Sequence, residues 1–157
     1  MTTGLQLDAI DRLRELPFPG EHRGSYGARS GPGYHLVALP AGSPSYGADE
    51  DPAGQEDPGR EEERREQVSA EYAALVGALT GRWGPPQVLP FLGVRDRVFS
   101  EAPEAAAVPE PWRELCQGSD HAQLWWVTER YVAVCATDWG AGWGHGLTAA
   151  VTTVDPP

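Results

Sequence analysis

The chain has 157 residues, with 12 arginines, no lysine, 23 acidic residues and a formal net charge of −11. That length supports one hydrophobic core, so a single domain spanning 1–157 is expected. The acidic balance argues against sequence-independent binding to nucleic acid, and two cysteines are too few for a disulfide framework.

Asparagine is also absent, and Ile10 is the single isoleucine. Alanine, glycine, proline and arginine are favoured, the bias of a GC-rich coding sequence, so a high-GC bacterial source is expected. The charge is unevenly placed. Residues 49–66 carry nine acids against three arginines, net −6, which is more than half of the total. Such a run solvates a segment, and it also steers a basic partner.

Taken in chain order, Leu5, Ala9, Ile10, Leu13 and Leu16 recur at helical spacing and predict a helix over 4–15, capped at Thr2 or Thr3 and ended by Pro17. Met1-Thr2-Thr3-Gly4 offers no basic, apolar leader. With no 18-residue apolar run anywhere, a cytoplasmic protein without membrane contact is expected. Residues 17–33 lack periodicity and read as loop. Tyr34 to Leu39 reads as a strand, and the Pro, Gly, Ser and acid stretch at 40–57 as a flexible acidic loop.

The strongest element follows. Asp57 and Pro58 suit a helix start, with Glu61, Glu62 and Glu63 at the positive end of its dipole. Val68, Tyr72, Leu75, Val76 and Leu79 make its apolar stripe, and Gly81 or Gly84 stops it before Pro85. Val88 to Leu92 reads as an edge strand or loop because of Pro90, continued by Val94 and Val98-Phe99. Pro109 to Gln117 reads as a short helix. The last third reads as a β-meander: Gln123–Thr128, a turn at Glu129-Arg130, Tyr131–Thr137, a glycine-rich loop, and Leu147–Val154. The expected class is α+β, an antiparallel or mixed sheet with a C-terminal three-stranded meander and helices packed on one face.

The loop Asp138-Trp139-Gly140-Ala141-Gly142-Trp143-Gly144-His145-Gly146 is the most unusual stretch. It leads into a strand, so the helix-dipole half of a nucleotide site is missing. Its aromatics suit a platform for a partner or a ring-bearing ligand. Six tryptophans are many for one small core, and adjacent Trp125 and Trp126 must face opposite sides of a strand. One side then needs cover from a helix, a partner protein or a second copy in a homodimer. Four histidines show no helical metal spacing, and His35 reads as structural. His121, Cys135, Asp138 and His145 would have to converge to form a zinc site or a Cys–His nucleophile. The default for Cys116 and Cys135 is a pair of reduced, buried thiols.

Leu-Pro-Phe-Pro at 16–19, Arg-Trp-Gly-Pro-Pro at 82–86, Pro-Glu-Pro-Trp at 109–112, and Tyr-Val-Ala-Val with a terminal Val-Asp-Pro-Pro resemble small acidic proteins of high-GC actinobacteria. That group brings no activity and no catalytic residues. Size and acidity are also similar in type to immunity proteins that neutralise toxins.

The reading that follows is a non-enzymatic protein-binding protein of immunity type, with a basic protein partner and no cofactor or metal. Its candidate contacts are Trp139, Trp143 and His145 in the loop, and Glu61, Glu62, Glu63 and Glu66 on the acidic helix start. Two alternatives stand beside it: a small metal- or thiol-dependent enzyme using Cys135 and His145, and a ligand-binding module using the Trp/Gly loop.

Overall fold

The computed structural model describes residues 2–25, 28–40, 58–100, 108–138 and 145–157, without the side chains of Ser25, Pro58, Arg60, Glu61 and His145. The expected acidic loop beyond Pro40, the Asp57 cap, Trp139 and Trp143 lie outside the described residues.

Among the described residues the chain forms four helices and one seven-stranded sheet. In order these are α1 (Thr2–Glu15), β1 (Arg23–Ser25), β2 (Ala28–Gly31), β3 (Tyr34–Ala38), α2 (Pro58–Trp83), β4 (Gln87–Pro90), α3 (Leu92–Phe99), α4 (Trp112–Gly118), β5 (His121–Val127), β6 (Arg130–Asp138) and β7 (His145–Thr152). The strand order is β1-β2-β3-β7-β6-β5-β4, every pair antiparallel. The α+β class and the β5–β6–β7 meander are therefore as expected. No described helix is long and apolar enough to cross a membrane.

The helices, however, cover both faces of the sheet rather than one. Side chains alternate along a strand, and β6 buries Val132 and Val134 on one side, Ala133 and Cys135 on the other. The first set packs with Ile10 of α1 and Val68, Leu75 and Leu79 of α2. The second packs with Val94 of α3 and Trp112, Leu115 and Cys116 of α4. A central strand apolar on both sides needs two covering layers. Trp125 and Trp126 divide as their adjacency demands: Trp125 is 3% exposed on the α2 side, and Trp126 is 59% exposed on the other.

Three local expectations are corrected. Residues 17–33 contain β1 and β2, whose Arg-Gly-Ser and Ala-Arg-Ser-Gly carry no apolar alternation. Arg29 pairs with Leu36 and Ser30 with His35 through the backbone. Residues 92–99 form a helix, because Phe91, Val94 and Val98 are spaced to put one apolar edge onto α4 and the sheet. Leu5 of α1 and Leu16 just beyond it are exposed while Gln6 is buried; the Gln6 Nε2 donates to the Pro40 carbonyl at 2.9 Å, which satisfies that donor. Of the two glycines at the end of α2, Gly84 is the stop. Its φ of 86° takes the left-handed conformation, and its N–H donates to the Thr80 carbonyl at 2.9 Å.

A candidate anion-binding cleft

Helices α1 and α2 end side by side, above the turn that joins β5 to β6. Pro17 closes the first and Gly84 the second. Their last turns carry Arg14 and Arg82, cations placed where the helix dipoles are negative. The turn itself is Thr128-Glu129, one residue earlier than expected, with φ of 50° and 66°. A two-residue hairpin loop of this kind normally takes Asn-Gly or Asp-Gly. A β-branched threonine in the left-handed region is strained backbone.

Between these three elements lies a cleft of about 510 Å³. Its walls are Trp83 and Val127, and three of the chain's arginines reach its rim: Arg14, Arg82 and Arg130. Trp83 stands edge-on to buried Trp125, with centroids 6.0 Å apart, and Trp125 donates its indole N–H to the Gly84 carbonyl at 2.9 Å. The aromatic wall is thus fixed from behind. Arg14 lies over the Trp83 ring, 5.1 Å from its centroid.

The charges around the cleft are unequal. Asp11 bridges two guanidiniums: Arg82 Nη1 donates to both its oxygens, at 3.0 and 3.2 Å, and Arg14 Nη1 to Oδ1 at 3.3 Å. Side-chain exposures of 25–41% keep these pairs in contact with solvent. Pairs of this kind are worth about 0–1 kcal/mol. Arg14 Nη2 also donates to Thr128 Oγ1 at 3.4 Å. Arg130 forms no ion pair with a described residue. It donates Nη1 to the Leu16 carbonyl at 2.9 Å and lies 4.1 Å above the Phe18 ring. Glu15 lines the same cleft.

The residues singled out from the sequence are elsewhere. Glu62, Glu63 and Glu66 are exposed on the first turns of α2, at the end of that helix away from the cleft. Glu61 belongs to the same turns by its backbone. His145 opens β7, its backbone opposite Asp138. Cys135 is fully buried, and burial pushes its thiol up to about 12, so it is protonated at neutral pH and a poor nucleophile. Cys116 is buried too, and burial likewise raises its pKa. Both thiols are free. His121 faces α2, its Nε2 3.5 Å from the Tyr72 hydroxyl, whereas Cys135 faces α4. The sheet separates them, so the convergence required for a Cys–His site does not form around Cys135 and His121. No group of three or more His, Cys, Asp or Glu side chains that could hold a metal occurs among the described residues. His35 is structural, as expected: it is 5% exposed, with Nδ1 2.6 Å from Ser30 Oγ and Nε2 3.3 Å from the Leu16 carbonyl. A carbonyl only accepts, so Nε2 carries a proton, and in the neutral ring Nδ1 accepts from the serine hydroxyl.

The arginine cleft was not singled out from the sequence. Its one local trace is an arginine in the last turn of each of two helices. No protein-family model, curated protein or solved structure matches the chain.

Proposed function

We propose that this chain is a non-enzymatic binding protein whose ligand site is the arginine cleft. The observation that carries the reading is the convergence of three guanidiniums, from α1, α2 and β6, on one cavity in a chain of net charge −11. Guanidinium forks recognise carboxylates and phosphates. A cavity of about 510 Å³ falls in the size range of small-molecule sites. The strained Thr128 at the rim supports the same reading, because strained backbone gathers where a site over-determines geometry. The test is a thermal-shift screen of anionic against cationic small molecules on the wild type and Arg82→Gln. Anions should stabilise the wild type and lose that effect in the variant; equal shifts in both proteins would overturn the assignment.

A second reading keeps the immunity-type role and a basic protein partner. It is favoured by the exposed Glu62, Glu63 and Glu66 on the first turns of α2. Charge reversal at Glu62 and Glu63 should then slow association with the basic partner and flatten its salt dependence.

A further inference from the structure

We infer that the occupant of the cleft is a small organic phosphomonoester, and that the Asp11 carboxylate competes with it for Arg14 and Arg82. The inference rests on the cleft being a binding site and adds the chemistry of what it binds. One carboxylate already spans Arg14 and Arg82, which shows that these two guanidiniums are set to share a single oxyanion. That carboxylate leaves Arg130 without an ion pair among the described residues. A planar carboxylate has two oxygens. A phosphomonoester has three terminal oxygens pointing in different directions, and the cleft offers guanidiniums from three separate elements. Its second negative charge answers the third arginine, and with Asp11 turned out to water Glu15 is, among the described residues, the one carboxylate left lining the cleft against three guanidiniums. The cavity exceeds what a bare phosphate ion fills, and the wall beyond the arginines is Trp83 and Val127, so the ester carries an apolar or flat body.

Binding replaces the Asp11 carboxylate at Arg14 and Arg82. The exposure of all three side chains leaves Asp11 able to rotate into water. Asp11 is then an internal competitor, and its charge sets the affinity.

The experiment is calorimetric titration with three probes: phenyl phosphate, inorganic phosphate and benzoate. Phenyl phosphate should bind the wild type about tenfold or more tighter than benzoate, the margin of one added charge-assisted hydrogen bond. It should also bind tighter than inorganic phosphate. Arg130→Gln keeps an N–H donor for the Leu16 carbonyl, and it should bring phenyl phosphate down to the level of benzoate. Asp11→Asn should tighten phenyl phosphate by roughly tenfold. Circular dichroism establishes that both variants are folded, and Arg130→Met, which also removes the charge, serves if the glutamine variant is not. Benzoate binding as well as phenyl phosphate, unaffected by Arg130→Gln, would overturn the phosphate assignment while leaving an anion cleft. Unchanged affinity in folded Asp11→Asn would overturn the competitor role. If no probe binds either the wild type or Asp11→Asn, the cleft is a structural tie between α1 and α2, and the binding reading falls with it.

Discussion

Each face of the sheet uses an arginine to hold the carbonyl end of a helix. On one face, Arg95 of α3 reaches the end of α4, donating Nε to the Cys116 carbonyl at 2.8 Å and Nη2 to the Ser119 carbonyl at 2.7 Å, with Asp120 at 3.2 Å. On the other, Arg130 of β6 reaches the end of α1 and finds the single Leu16 carbonyl, beside an open cleft. Beneath Arg95 the core is closed, with Trp112 fully buried and its indole N–H donating to the Val154 carbonyl at 3.1 Å. The difference separates two uses of one residue type. An arginine whose donors are met by backbone carbonyls and a carboxylate is a fastener. An arginine with donors left over at a cavity is free to serve a ligand, the role proposed for Arg130.

The largest effect that bears on this contrast comes from opening the closed face. Trp112→Ala should cost about 3–5 kcal/mol by chemical denaturation, since it leaves a large cavity and strands the Val154 carbonyl. Alkali tests the same face. The Cys135 thiol is raised from 9.0 to about 12 by burial, so in the unfolded chain it ionises first. Its contribution is intact below pH 9.0 and lost as pH rises toward 12, at about 1.4 kcal/mol per pH unit. Tyr34 on this face and Tyr72 on the opposite one, also raised by burial, act in the same direction once the pH passes their ordinary value of 10.0. The slope should lessen in Cys135→Ala, and an unchanged slope would mean that water reaches the thiol.

The direct comparison is between the two arginines. Arg95→Ala should cost about 2–3 kcal/mol of stability, because two helix-end carbonyls lose a charged donor. Arg130→Gln should cost less than about 1 kcal/mol, with its main effect on anion binding. Equal losses would erase the distinction. The smallest change runs the other way. Thr128→Asn relieves a threonine at positive φ and should raise stability by about 0.5–1 kcal/mol, measured as a shift in the denaturation midpoint.

Much of the fold was legible where one residue's neighbours in sequence are also its neighbours in space. The stripe from Val68 to Leu79, a glycine stop at Gly81 or Gly84 and the meander follow from periodicity and turn chemistry, which act within a few residues. β1 and β2 were not legible, because their pairing is carried by backbone groups that every residue possesses. Nor was α3, where Phe91, Val94 and Val98 are too few to separate a helix from a strand beside Pro90. The single-face expectation failed at β6: its continuous apolar run showed that the strand was buried, but not that two separate pairs of helices would bury it.

By itself, the sequence determined an acidic chain of α+β class, the position of its longest helix, and the opposite facing of Trp125 and Trp126, because charge and side-chain period are local properties. The cleft is different. Asp11 and Arg82 are 71 positions apart, and Arg14 and Thr128 are 114 apart. No spacing rule links residues that meet only because two helices end above the same turn. Tertiary packing brought those ends together, and with them the three guanidiniums that line the cleft.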